Sequence, residues 1–136
     1  MKRTSETSTF IDTNILLYLL SKDNRKAEIA EALVNNKCSI SVQVLNEMTN
    51  VARRKLNMSW QDIEEFSNLV QSFCNIESLT VETYKKGVQI ASKYQLNVYD
   101  AMIVASAHLA SCDVLYTEDM HDGLIIDGRL RIANPF

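Results

Sequence analysis

The fold of this chain is decided near its start, by the segment Thr9-Phe10-Ile11-Asp12-Thr13-Asn14-Ile15-Leu16-Leu17-Tyr18. Phe10 and Ile11 are typical of the end of a short buried strand, and the apolar run at residues 15–20 is typical of a helix start. Asp12 therefore lies between two apolar segments, where a carboxylate is costly unless it is hydrogen-bonded or bound to a cation. A simpler interpretation is that Asp12 only caps the following helix.

Length and composition indicate one soluble globular domain. A chain of 136 residues is long enough for a single core, so we expect one domain over residues 1–136, with residues 1–8 as a loose end. Three glycines and one proline argue against a turn-rich β-sandwich and favour helices joined by short connections. The net charge of −3 neither establishes nor excludes an RNA partner.

The sequence predicts a cytoplasmic protein. No apolar run reaches membrane-spanning length, and the basic start Met1-Lys2-Arg3 is followed by polar residues, so we expect neither a membrane segment nor a signal peptide. Cys38, Cys74 and Cys112 are odd in number and form no C-x-x-C pair. This usage predicts reduced, buried thiols and argues against a zinc site.

Short strands alternate with helices along the whole chain. Strands are predicted at residues 9–12, 38–40 and 113–117, with a brief extended piece at 75–79 and a closing pair at 124–126 and 130–132. The first helix is predicted to follow the first strand and to end near residue 20. Further helices are predicted to cover residues 25–35, 41–56, 60–74, 80–94 and 100–110. This order predicts a mostly parallel sheet covered by helices, with the apolar last helix at the centre.

Three more acids occupy settings like that of Asp12. Glu47 lies at the edge of an apolar helical stripe, where the simpler interpretation is a side chain that extends to solvent. Asp100 begins the most apolar helix, where it could serve only as a cap. Asp119 follows a strand directly, at the place where open α/β sheets carry their sites. A parallel sheet can bring these four acids to one edge.

Four carboxylates in one pocket repel one another unless a cation is present. Oxygen ligands select Mg²⁺ or Mn²⁺ over zinc, and such ions assist phosphodiester hydrolysis. No Ser/His/Asp set, glycine-rich phosphate loop or cysteine nucleophile competes with this interpretation, and we expect His108 to be a hydrogen-bonded core or edge histidine, not a catalyst or ligand. The chemistry that fits is metal-assisted hydrolysis of a phosphodiester.

Four pieces of the sequence resemble a known family. They are Ile11-Asp12-Thr13-Asn14-Ile15-Leu16-Leu17-Tyr18, then Ser41 with Leu45-Asn46-Glu47, then residues 99–107 (YDAMIVASA), then residues 115–120 (LYTEDM). Each piece alone is weak, but their order and spacing over residues 9–136 are fairly specific. The chain resembles PIN-domain proteins, and in size and layout it is most similar to VapC-type toxins of bacterial and archaeal toxin–antitoxin pairs.

The resemblance implies a three-layer α/β/α fold and Mg²⁺- or Mn²⁺-dependent ribonuclease activity. It also implies a homodimer and an antitoxin that blocks the site. By position, Asp12 and Asp100 resemble direct metal ligands, whereas Glu47 and Asp119 resemble ligands through water or aids to the attacking water. Thr13 and Asn14 would orient Asp12, and Thr117 would place a hydroxyl near the site. Glu118 and Asp122 remain alternatives to Asp119.

Two other functions stay open at this point. One is a PIN-like module that binds nucleic acid without turnover. The other is a phosphatase that uses Asp12 as nucleophile, in the manner of haloacid-dehalogenase-like enzymes, although Asn14 stands where those have a second aspartate. If RNA is bound, Arg53 and Arg54 are the candidates for backbone contacts, because they lie on the helix that carries Glu47.

Overall fold

The computed structural model describes residues 7–136, so the prediction for the first six residues lies outside the described part. The strands are β1 (Thr9–Ile11), β2 (Cys38–Ser41), β3 (Asn75–Glu77), β4 (Val114–Tyr116), β5 (Ile125–Ile126) and β6 (Leu130–Ala133). The helices are α1 (Thr13–Leu17), α2 (Asn24–Asn35), α3 (Val42–Arg54), α4 (Trp60–Phe73), α5 (Val81–Tyr94) and α6 (Val98–Leu109). A 3₁₀ turn, Tyr18–Leu20, follows α1.

The strands form one six-stranded sheet in the order β3-β2-β1-β4-β6-β5. All neighbouring pairs are parallel except β5 and β6, which form the predicted closing hairpin. From β1 to β3, each new strand is added on the same side of the previous one, and the chain then crosses back to place β4 on the other side of β1. By the rule that such crossovers are right-handed, α1–α4 cover one face of the sheet and α5–α6 the other, in agreement with the three-layer α/β/α prediction.

The reversal of strand order between β1 and β4 creates a topological switch point, where open α/β sheets bind ligands. Phe10 of β1 pairs with Leu115 of β4, and the Asp12 amide donates to the Tyr116 carbonyl at 3.0 Å. The residues that follow β1 and β4 therefore leave the sheet side by side. Residues 12–14 and 117–119 are the ones brought together in this way.

Helix α6 confirms the expectation of a central helix. Every residue from Ala101 to Ala107 is buried, because this apolar helix packs on the sheet and against α5. The boundary is different from the prediction: α6 begins at Val98 rather than at Asp100, since Asn97 is its N-cap and accepts from the Asp100 amide at 2.9 Å. Asp100 is thus a first-turn residue and not the cap.

Two further predictions on helices were wrong in part. The helix after β1 is a five-residue α1 followed by the 3₁₀ turn, not one continuous helix. In α4, Ile63, Phe66 and Val70 are buried as expected, but three predicted core residues, Trp60, Leu69 and Phe73, are 62%, 54% and 49% exposed. Leu69 and Phe73 line an open apolar groove of about 430 Å³ together with Leu20, Val34 and Phe66.

The cysteines agree with the prediction of reduced, buried side chains. Cys38, Cys74 and Cys112 are all buried and none is in a disulfide. Ser8, assigned from the sequence to a loose end, donates its amide to Asp113 Oδ2 at 3.0 Å. Within residues 7–136, no helix combines the length and apolar character that a membrane crossing requires.

Candidate active site

Asp12 is the most constrained acid of the site. It is 4% exposed, and both its oxygens are held: Oδ1 accepts from the Thr13 amide at 2.7 Å, and Oδ2 accepts from the Thr117 hydroxyl at 2.8 Å. Thr13 follows β1 and Thr117 follows β4, so the paired strands fix both donors. Asp12 also caps α1. The cap interpretation and the site interpretation are therefore both true of this residue.

Asn14 joins Asp12 to Asp119. Its Nδ2 lies 3.4 Å from Asp12 Oδ2 and donates to Asp119 Oδ2 at 2.9 Å, while its Oδ1 accepts from the Glu118 amide at 3.2 Å. The Thr117 hydroxyl also accepts from the Asp119 amide at 3.2 Å. Asn14 and Thr117 thus hold the segment after β4 against the carboxyl end of β1.

Asp100 and Glu47 approach from two helices. Asp100 lies in the first turn of α6, half-buried, and its Oδ2 accepts from Asn97 Nδ2 at 2.9 Å. Glu47 lies on α3, whose start is fixed by Ser41: this buried hydroxyl accepts from the Val44 amide at 3.3 Å. Glu47 Oε2 is buried, and no group within residues 7–136 forms a hydrogen bond with it.

The four acids influence one another electrostatically. Burial, with a smaller contribution from the charges of Asp100 and Asp119, raises the pKa of Asp12 to about 6, although hydrogen bonds from Thr117 and Thr13 oppose the rise. Burial also raises the pKa of Glu47 to about 6, with added repulsion from Asp12 and Asp100. The pKa of Asp100 is raised by burial, and Asp119 adds to it. The structure therefore brings all four predicted acids into one cluster.

Glu118 and Asp122, the alternatives to Asp119, have other partners. Glu118 accepts from the Tyr18 hydroxyl and from Lys26 Nζ, both at 2.6 Å. Asp122 accepts from the Asn134 amide at 2.9 Å. Asp119, in contrast, is held by Asn14 next to Asp12, and it is the acid after β4 that raises the pKa of Asp12.

The donor set suits a hard divalent cation. The groups are all carboxylate, amide or hydroxyl oxygens, and an unpartnered buried carboxylate oxygen such as Glu47 Oε2 is costly without a ligand. Within residues 7–136, no three acid, histidine or cysteine side chains stand close enough to ligate one ion together. Mg²⁺ usually keeps several waters and needs only one or two carboxylates. The cluster fits such water-mediated binding.

Two basic residues and one histidine have surroundings that the sequence did not reveal. Arg53 donates to the Met58 carbonyl at 2.9 Å, and its guanidinium lies 5.0 Å from the centre of the Trp60 ring. His108 Nδ1 lies 2.9 Å from an Arg129 guanidinium nitrogen, as expected for an edge histidine with a hydrogen-bond partner. Arg54 is exposed on the last turn of α3.

Sequence reasoning missed Asn97, Tyr18 and Lys26 as parts of the site's surroundings. Asn97 could have been found, because an asparagine three residues before Asp100 has the spacing of a helix N-cap. Tyr18 and Lys26 carry no such local signal, since their common partner Glu118 is 100 and 92 residues away.

The metal-free protein should lose stability as the pH rises through the raised pKa values of these acids. A carboxyl whose pKa is raised from 3.8 in the unfolded chain to about 6 in the native state binds its proton more tightly when folded. The native state is therefore favoured below about pH 4, and this contribution is lost as pH rises to about 6. For Asp12 it amounts to about 3 kcal/mol.

The free energy of unfolding of Asp12→Asn, minus that of the wild type, should therefore increase between pH 4 and 7. Urea unfolding with a chelator present measures it. Asp127→Asn is the control, because its salt bridge with Lys86 holds the pKa of Asp127 below its usual range and no such increase should occur. If the difference in unfolding free energy between Asp12→Asn and the wild type stays constant over this pH range, burial does not raise the pKa of Asp12.

Comparisons with known proteins agree with this geometry. The family model described as PIN domain matches residues 9–121. A sequence comparison with curated proteins finds no significant match. Among solved structures, a toxin–antitoxin complex from Klebsiella pneumoniae is 26% identical, with a TM-score of 0.72, and the match covers 95% of this chain and 98% of the other.

Two more distant structures share the fold. VapBC2 from Rickettsia felis, solved with a DNA fragment from its promoter, is 18% identical with a TM-score of 0.70, covering 94% of this chain and 98% of that one. VapC20 from Mycobacterium tuberculosis, described as a toxin that cleaves the sarcin–ricin loop, is 15% identical with a TM-score of 0.61, covering 82% and 90%. With the family model matching most of the chain, the six-stranded α/β/α fold and the acids at its switch point identify this chain as a member of the PIN domain family.

Proposed function

We propose that this chain is a Mg²⁺- or Mn²⁺-dependent endoribonuclease, the toxin of a type II toxin–antitoxin pair that acts in the cytoplasm. The observation that carries the proposal is the acid cluster: Asp12, Glu47 and Asp100 all have raised pKa values, because they are buried together and repel one another or Asp119. Acids whose pKa values are raised by burial and by one another are typical of functional sites.

Asp12 and Asp100 would hold the cation directly, and Glu47 and Asp119 would hold it through water. When bound, the cation would orient the phosphodiester and stabilise the charge that develops on the leaving oxygen. Thr13 and Thr117 keep Asp12 in one orientation through their hydrogen bonds, and Asn14 keeps Asp119 beside it. A site held by paired strands in this way needs little rearrangement during the reaction.

Glu47 is the acid suited to accept a proton from the attacking water. Its Oε2 has no hydrogen-bond partner among the described residues, and in the metal-free protein its raised pKa of about 6 lies near neutral pH. A general base works best when its pKa is close to the operating pH. Asp12 is less suited to this task, because both of its oxygens already accept hydrogen bonds.

Two observations support the proposed substrate and partner. Solved structures similar in fold include a toxin–antitoxin complex and a toxin described as cleaving the sarcin–ricin loop. The apolar groove that contains exposed Leu69 and Phe73 is a surface of the kind that a protein partner covers. We propose an antitoxin as that partner, and a homodimer as the form of the toxin.

Asp100→Asn should abolish metal-dependent RNA cleavage, with a loss of about 100-fold or more, because a developing charge loses its stabilisation. The same variant should lose most of the rise in unfolding temperature that Mg²⁺ or Mn²⁺ causes in the wild type. Asp122→Asn is the matched control. Asp122 lies on the same loop as Asp119 but accepts a hydrogen bond from the Asn134 amide, so the Asp122→Asn variant should cleave RNA and respond to metal like the wild type.

Cleavage by Asp100→Asn at the wild-type rate would remove Asp100 from the site. Metal-independent RNA binding by the wild type, with no cleavage of any substrate tested, would instead favour the module without turnover. If metal stabilises the protein but no RNA is cleaved, the cation site is established and the proposed RNA substrate is wrong.

Arg53 and Arg54 are proposed to bind the RNA backbone. The double variant Arg53→Gln/Arg54→Gln should bind RNA more weakly and reduce the slope of log K against log salt concentration by about 0.7 for each phosphate that the arginines neutralise in the wild type. Lys37→Gln is the control, because Lys37 is exposed before β2, at the end of the sheet opposite the acids. An unchanged slope in the double variant would discard both arginines.

A further inference from the structure

We propose that Tyr18 and Lys26 are positioning residues that hold the Glu118 carboxylate out of the acid cluster and so leave Asp119 as its fourth member. This inference rests on the proposed function. It assigns a role to two side chains that lie outside the cluster, and it explains how a chain with two adjacent acids after β4 uses only one of them.

The partners of Glu118 are the first observation. Both of its carboxylate oxygens are occupied: Oε1 accepts from the Tyr18 hydroxyl at 2.6 Å, and Oε2 accepts from Lys26 Nζ at 2.6 Å. Lys26 Nζ also donates to the Tyr18 hydroxyl at 3.1 Å, which closes the triangle. Tyr18 belongs to the 3₁₀ turn and Lys26 to α2, so two elements fix one side chain.

The second observation is that the backbone of the same segment is held from the opposite side. Asn14 accepts from the Glu118 amide at 3.2 Å and donates to Asp119 Oδ2 at 2.9 Å, and Thr117 accepts from the Asp119 amide. Asn14 is also within 3.4 Å of Asp12 Oδ2. The two neighbouring carboxylates are therefore directed to different partners, Asp119 to the cluster and Glu118 to Lys26.

Aromatic rings cover the ammonium group. Lys26 Nζ lies 4.8 Å from the centre of the Tyr18 ring and 5.1 Å from that of Phe136, and the two rings contact edge to face at 4.9 Å. The ion pair is partly shielded as a result, with side-chain exposures of 28% for Lys26 and 27% for Glu118. Shielding strengthens a pair that water would otherwise screen. Tyr18, Lys26 and Phe136 together form a clamp that holds the Glu118 carboxylate.

Release of Glu118 would change the site in two ways that can be separated. A fifth carboxylate close to the cluster, with Lys26 no longer opposing it, makes the site more negative and should bind a cation more tightly. The longer Glu118 side chain would also compete with Asp119 for its position, so turnover should fall. Tighter metal binding with slower cleavage is not expected from simple loss of structure.

Lys26→Met tests the clamp, because methionine keeps an unbranched stem and removes the charge. Metal affinity is measured from thermal unfolding in Mn²⁺ titrations, and cleavage at saturating Mn²⁺ with the same RNA. We expect half-saturation at a severalfold lower Mn²⁺ concentration and cleavage about 10-fold slower. Lys26→Arg, which keeps the charge, should resemble the wild type in both measurements.

The double variant Lys26→Met/Glu118→Gln decides between positioning and packing. It removes the released charge, so both the Mn²⁺ half-saturation and the cleavage rate should return close to the wild-type values. Failure of Glu118→Gln to restore them, or a Lys26→Met protein with unchanged metal affinity and rate, would overturn the proposal.

Amide exchange makes the test independent of catalysis. In Lys26→Met, hydrogen exchange at the Glu118 and Asp119 amides, followed by NMR, should be at least severalfold faster than in the wild type, because one of the two restraints on this segment is removed. If the wild type neither binds Mn²⁺ nor cleaves RNA, the proposed function fails, and the exchange result still decides the clamp. Unchanged exchange at both amides would refute it.

Discussion

The structure depends on one buried carboxylate at the carboxyl end of β1. Asp12 is placed there by the pairing of β1 with β4, which supplies the Thr117 hydroxyl, and by the start of α1, which supplies the Thr13 amide. These two hydrogen bonds lower the pKa of Asp12, but burial and neighbouring charges outweigh them and raise it to about 6. The native state therefore carries an electrostatic penalty that a bound cation would relieve.

The remaining features of the site follow from this constraint. Strand order reverses between β1 and β4, so the segments after both strands meet, and Asn14 bridges them. Asp100 and Glu47 come from two different helices, and each helix start is fixed by a cap, Asn97 for α6 and Ser41 for α3. Local caps therefore fix the two helix starts, whereas the long-range pairing of β1 with β4 brings Asp12 and Asp119 together.

Much of this could be predicted from the sequence, for reasons that particular residues make clear. Ile11-Asp12-Thr13 and Tyr116-Thr117-Glu118 are strand ends in both the sequence pattern and the structure, since a buried parallel strand is a short apolar run that stops at polar residues. The apolar composition of α6 predicted its central position because no face of it could be left in water. The fold class allowed Asp12, Glu47, Asp100 and Asp119 to meet at one edge of the sheet, and the family resemblance selected Asp119 over its neighbouring acids.

Other features could not be predicted, because they depend on contacts distant in sequence. Leu69 and Phe73 have the spacing of a buried helix face, yet nothing in the described part of the chain covers that end of α4, and hydrophobic periodicity cannot show whether a partner element exists. The contact between Lys26 and Glu118 likewise could not be predicted, because Lys26 lies on α2, whose sequence pattern gives no sign of it. The predicted start of α6 at Asp100 instead of Val98 was a local error, since the Asn97 cap could have been recognised.

The central claim is that these acids form a cation site, and anomalous scattering from crystals soaked in Mn²⁺ tests it most directly. The account predicts a peak in the anomalous difference map at the carboxyl ends of β1 and β4, within about 2.0–2.3 Å of a carboxylate oxygen of Asp12 or Asp100, with water as the other ligands. No peak there at saturating Mn²⁺, or a peak bound only by residues outside the four acids, would contradict it.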